Sequence, residues 1–121
     1  MDKATWRKRI VESSEAAGTY RPCFDDMIDT LAGILERRDE AEEQYLELGG
    51  EAVVEYTNKA GATNIVKNPA LTIVDQLNNT ALTYWKELGL TPAGLKRINE
   101  TAMKGKPKQA SLGAVLKDLG I

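Results

Sequence analysis

The apolar positions of this chain fall into blocks of different period, and each period predicts an element. Over residues 5–17, Trp6, Ile10 and Val11 stand at helical spacing with Arg7, Lys8 and Arg9 between them, and Gly18 follows as a stop. A short amphipathic helix with a basic face is expected there. Tyr20-Arg21-Pro22 reads as a connector, because proline restricts the residue before it and suits a helix start. Between residues 24 and 48 there is no proline and only one glycine, Gly33, while Met27, Leu31, Ile34, Arg38, Ala41, Tyr45 and Leu48 recur at alternating steps of four and three. That is the stripe of one long helix, assigned to residues 23–48. Arg38 alone interrupts it, with Glu42 one turn on as its expected partner. Gly49-Gly50 ends it, since glycine readily takes the left-handed conformation of a helix C-cap.

The period then changes. Val53, Val54, Tyr56, Thr57, Thr63, Ile65 and Val66 flank Asn58-Lys59-Ala60-Gly61, which predicts a β-hairpin over residues 52–67 with a four-residue loop. An isolated hairpin is marginal unless it packs on helices or on neighbouring subunits, so this one is a candidate assembly element. Asn68-Pro69 and Thr91-Pro92 each offer a capping side chain followed by proline at the first helical position. They predict a two-helix corner over residues 69–103, turning at Gly89-Leu90. Ala70, Val74, Leu77, Ala81, Tyr84 and Leu88 form the apolar face of its first helix, joined by Leu71, Ile73 and Trp85. Residues 104–121 read as a basic loop around Lys104, Lys106 and Lys108, then a short tail helix with Leu112, Val115, Leu116 and Leu119 on one face.

The fold class that follows is mainly α: one helical domain over residues 1–121, with a long central helix and one small β-hairpin. A 25-residue helix spans about 37 Å, longer than so small a domain easily covers, which turns its stripe toward contact between copies. Met27, Leu31, Ile34, Arg38, Ala41, Tyr45 and Leu48 are therefore the expected oligomer interface.

Charge adds a division that the net value of −2 conceals. Residues 1–22 hold five bases and three acids, residues 23–55 two bases and eleven acids, and residues 56–121 nine bases and four acids. Basic ends on an acidic molecule can meet a polyanion. Lys3, Arg7, Lys8 and Arg9, with Lys96, Arg97, Lys104, Lys106 and Lys108, form the set that phosphate contact needs. No zinc finger and no interleaving of aromatic with basic residues points to a base-reading element.

The residue inventory excludes much chemistry. With no histidine and one cysteine, a Cys-His zinc site, a Ser-His-Asp triad and a histidine general base are all unavailable. No glycine cluster has the Walker A or dinucleotide spacing, so no cofactor is implied. Asp25, Asp26, Asp29, Glu36, Asp39, Glu40 and Glu43 include pairs on one helix face that magnesium could use, but such a run reads first as a solvated acidic surface. Cys23, between Pro22 and Phe24, is expected to be a packed structural thiol. No apolar run approaches the roughly 20 residues that cross a bilayer, so no membrane partner is expected.

Three stretches carry a resemblance. Thr57-Asn58-Lys59-Ala60-Gly61, then Lys67-Asn68-Pro69-Ala70-Leu71, then Tyr84-Trp85-Lys86-Glu87-Leu88-Gly89-Leu90-Thr91-Pro92 resemble the small terminase subunits of tailed double-stranded DNA phages. The likeness covers residues 20–100 in layout. It implies a non-enzymatic protein of the host cell cytoplasm that assembles into a ring, recognises viral double-stranded DNA and delivers it to the large terminase subunit, the ATPase and nuclease. By the same resemblance the long helix and hairpin would build the ring and the basic ends would touch DNA. The chain departs from the family after Thr-Pro, with Ala93-Gly94-Leu95-Lys96-Arg97 where small polar residues and arginines are common. The basic loop at residues 104–108 is the expected substitute. The competing readings are a helical oligomeric adaptor or connector without DNA affinity, and an enzyme using a metal on the acidic helix.

Overall fold

The computed structural model describes residues 1–105. Helix α1 (Lys3–Ala17) leads through a 3-10 turn (Pro22–Phe24) into α2 (Asp25–Glu47); strands β1 (Val53–Thr57) and β2 (Thr63–Lys67) follow, then α3 (Pro69–Glu87) and α4 (Pro92–Gly105). The protein is mainly helical with one two-stranded antiparallel hairpin. The expected tail helix and the lysines at 106 and 108 lie outside the described residues.

Local chemistry sets the boundaries. The Asp2 carboxylate accepts the Thr5 amide at 2.8 Å, so α1 begins at Lys3, two residues before the apolar spacing predicts. The Asn68 side chain accepts the Ala70 amide at 3.0 Å with Pro69 in the first turn of α3. Its Nδ2 also donates to the Glu51 carbonyl at 2.9 Å, and its own amide donates to the Ala52 carbonyl. One buried side chain thus starts α3 and ties the hairpin's two ends together.

Helix α2 lies between α1 and α3, and both flanks of it are buried. Ile28, Leu31, Ala32, Ile34 and Leu35 are enclosed with Ile10 of α1, Ala81 of α3 and Leu88 at its end. Trp6, Val11, Phe24, Met27, Leu77, Tyr84 and Trp85 pack around them. Burying a side chain the size of Leu31 or Leu35 contributes about 1.5–3 kcal/mol, so this cluster is the main stabilising element.

The hairpin pairs Val53 with Lys67 and Thr57 with Thr63. Its loop extends to Ala62, one residue beyond the expected four, because the Asn58 side chain accepts the amides of both Ala60 and Ala62 at 3.0 Å. Val54 and Val66 face each other on its half-buried side, while Val53, Tyr56 and Ile65 are exposed, Ile65 at 73%.

At the corner, Thr91 Oγ1 accepts the Gly94 amide at 3.0 Å and Pro92 opens α4. Gly94 is buried, and a Cβ there would collide with the Lys86 carbonyl oxygen. The backbones of α3 and α4 therefore touch directly. Helix α4 runs to Gly105, so Lys104 ends a helix where the sequence predicts a loop.

Three further expectations change. Arg38 reaches Asp39 at 2.9 Å and Asn78 at 3.3 Å, not Glu42, because Asp39 is held in place by Trp6. Cys23 is exposed, since the 3-10 turn puts Phe24 against the core instead. Ile73, assigned to the inward face of α3, is 52% exposed.

Candidate nucleic-acid interface

On a helix, consecutive residues point about 100° apart, so the run Arg7-Lys8-Arg9 cannot form one basic face. The structure divides it three ways. Arg7 turns onto α2, 3.7 Å from Asp25 and 3.9 Å from Asp29. Lys8 is exposed and borders a shallow concavity with Ala4, Val11, Glu12 and the stem of Arg7. Arg9 stands with its guanidinium carbon 5.5 Å from the Trp6 ring centroid, on the side that faces α3.

The remaining cations of the expected set are also accounted for where they are described. Lys3 pairs with Asp29 at 3.0 Å, Lys96 approaches Glu100 at 3.9 Å, and Arg97 reaches back to Glu87 at 3.3 Å. Lys8 and Arg9 have no ion pair among the described residues. The pairs of Lys3, Arg7, Lys96 and Arg97 join side chains exposed by 41% or more. Such surface pairs contribute about 0–1 kcal/mol, so an approaching polyanion can replace those of Lys96 and Arg97 at little cost, whereas Lys3 and Arg7 are turned onto the acidic side of α2, with the Lys3 stem beside Gly33.

The expected oligomer stripe separates in the same way. Leu31 and Ile34 are buried within the chain, Met27 packs against its core, and Arg38, Ala41 and Tyr45 are half-buried. Tyr45 donates its hydroxyl to the Gly50 carbonyl at 2.6 Å. Only Leu48, 74% exposed, presents a large open apolar surface, next to Leu46 at 62%.

Between α1 and α3 lies an open groove of about 470 Å³, lined by Trp6, Arg9 and Ser13 on one side and by Leu82, Trp85, Leu90 and Thr91 on the other. The sequence puts Trp6 and Trp85 on the apolar faces of their helices, and both pack against the core, but the groove they also line is not legible there, because the two residues are 79 positions apart and nothing local in the sequence joins them.

Residues 3–104 match the family described as phage terminase, small subunit. The chain belongs to that family. Neither the curated proteins nor the solved structures contain a match to it. The match to the terminase small subunits runs from the start of α1 into the last turn of α4 and includes the departure at residues 93–97, where Gly94 serves the contact between α3 and α4. Among the described residues, no group of three or more carboxylate or thiol side chains is placed to hold a metal ion. Among them, too, no helix is long and apolar enough to cross a membrane.

One carboxylate stands out electrostatically. Burial pushes the Asp39 carboxyl up, but hydrogen bonds from Trp6, Arg38 and the N-terminal ammonium outweigh it and hold the group below the ordinary carboxylate range. That cluster fastens α1 across α2 and so fixes where Lys8 and Arg9 project.

Proposed function

We propose that this chain is the DNA-recognising small subunit of a phage terminase, a non-enzymatic protein that assembles into a ring, binds viral double-stranded DNA and passes it to the large terminase ATPase-nuclease in the host cell cytoplasm. The family match over residues 3–104 carries the reading. Phosphate contact is assigned to Lys8, with Lys96 and Arg97 recruited from their surface pairs and the lysines at 104, 106 and 108 adding to them, while Arg9, which stands at the groove between α1 and α3, is left to assembly. Lys3 and Arg7, turned onto α2, are assigned to holding α1 in place and reach DNA secondarily. Assembly falls to the exposed end of α2 and the open face of the hairpin, since Leu31 and Ile34 are occupied inside the chain.

The ion pairing of Lys3, Arg7, Lys96 and Arg97 favours one other reading, an oligomeric helical adaptor or connector without DNA affinity. Light-scattering mass of the purified protein, alone and with duplex DNA at low and moderate salt, separates the two. A discrete multimer of the 13.3 kDa chain that binds duplex and releases it as salt rises supports the packaging subunit. A multimer indifferent to DNA at every salt supports the adaptor, and a monomer indifferent to DNA removes both.

A further inference from the structure

Helix α1 covers one side of α2, where Lys3 meets Asp29 and Glu36 and Trp6 meets Asp39. Steps of three and four carry that side of the helix on to Glu43 and Leu46. There it is bare: Glu42 and Glu43 are exposed without an ion pair among the described residues, and Leu46 is 62% exposed. An open leucine one turn beyond two glutamates complements an apolar groove edged by a cation.

The chain carries such a groove. Trp6, Leu82, Trp85 and Leu90 give it an apolar lining, and Arg9 stands at it with no carboxylate partner among the described residues. We propose that a second copy of this chain fills it, with Leu46 of one copy entering between Trp6 and Trp85 of the next and Glu43 meeting Arg9. This rests on the assembly reading above and gives it an address. Leu46 and the groove are different surfaces of one chain, so each copy offers a protrusion to one neighbour and a groove to the other. Head-to-tail contacts of that kind close into rings when the rotation per copy divides a full turn. Residues 111–119, the other apolar segment available, carry one acid and one base, whereas the end of α2 brings Glu42, Glu43 and Glu47 to meet Arg9. Charge complementarity therefore selects the second copy.

The test is scattering mass against concentration for the full chain without DNA, comparing wild type with Arg9→Glu, Glu43→Arg and the two combined. All changed positions are exposed, and far-UV circular dichroism confirms folding. Each single reversal places like charges together and should raise the concentration for half-assembly by about tenfold or more, while the combination restores it. Singles that assemble as wild type does, or a combination no better than its parents, overturn the docking. So does Leu116→Asp, if it frees the groove as read by tryptophan emission while the mass is unchanged, because the tail is then the occupant. A wild type that stays at 13.3 kDa at every concentration removes the assembly reading itself, whereas a wild-type ring indifferent to both reversals removes only this contact.

Discussion

The indole Nε1 of Trp6 donates to Asp39 Oδ2 at 2.7 Å, joining the start of α1 to the middle of α2 across 33 positions of sequence. The bond has an ionised acceptor and is partly buried, a setting worth about 1.5–3 kcal/mol when intact. Trp6→Phe keeps most of the ring's packing and removes the donor, so urea unfolding should lose about 1.5–2 kcal/mol, the lower part of that range because Asp39 keeps its other partners.

Asp39 also sets an acid limit. Its folded carboxyl lies below the ordinary aspartate value of about 3.9, so its contribution is fully present above that value and is lost as pH falls through the lower folded one. Asp39→Asn should be less stable than wild type at neutral pH and should lose less stability between pH 5 and the acid end of the transition. Parallel pH curves for the two proteins would remove Asp39 from the acid response.

Gly94→Ala separates local propensity from packing. Propensity alone favours alanine by about 1 kcal/mol inside a helix. The Lys86 carbonyl occupies the space of the new methyl, and the α3–α4 corner has to open to admit it. Net destabilisation of about 1–3 kcal/mol is expected, read as a fall in the melting temperature. A rise would mean that the two backbones are not in contact.

The helices and the hairpin were legible because their ends carry local signals: Gly18, Gly49-Gly50, Asn68-Pro69 and Thr91-Pro92 all act within a few residues of themselves. What each helix faces was less legible. A single stripe read along α2 runs through Met27, Leu31 and Ile34, yet α2 has a helix on either side, and Ile28, Ala32 and Leu35 are buried with them. Two apolar stripes then merge, and no single seam describes either. The basic run of α1 misled for a related reason, since adjacency in sequence disperses residues around a helix. Asp2 is a residue type that caps helices, and the apolar spacing alone missed it; the groove of Trp6 and Trp85 was not legible at all, because its two walls meet only in the folded chain.

Burial of α2 from both sides decides what its substitutions do. Leu31→Asp puts a charge into a fully buried site and should abolish the folded circular-dichroism spectrum, not yield a folded monomer. Leu48→Asp, at a position 74% exposed, should stay folded. A folded, helical Leu31→Asp monomer would return that residue to an interface between copies.

Ser14 is buried at 1% exposure and its Oγ has no hydrogen-bond partner, although its carbonyl accepts from the amides of Thr19 and Tyr20. Removing an unsatisfied buried hydroxyl relieves a desolvation cost of about 1–3 kcal/mol, offset in part by the small void left. Ser14→Ala should be neutral or stabilising in a urea titration, and a loss above 1 kcal/mol would mean that the hydroxyl has a partner, such as an ordered water.

The division of the basic run makes DNA affinity unequal among residues of the same charge. Lys3 is engaged with Asp29 and lies against α2, so Lys3→Ala should change duplex affinity little at moderate salt. Lys8 is exposed without an ion pair among the described residues, and each phosphate it neutralises should contribute about 0.9 to the slope of log affinity against log salt. Lys8→Ala should therefore weaken binding and flatten that slope by roughly one unit for a single site on the duplex, multiplied by the number of copies that touch it. Titrating labelled duplex at several salt concentrations reads both quantities together. A Lys3 variant that lowers the slope as much as the Lys8 variant would mean that DNA draws Lys3 off Asp29, and that the pairing of α1 with α2 opens when the duplex binds.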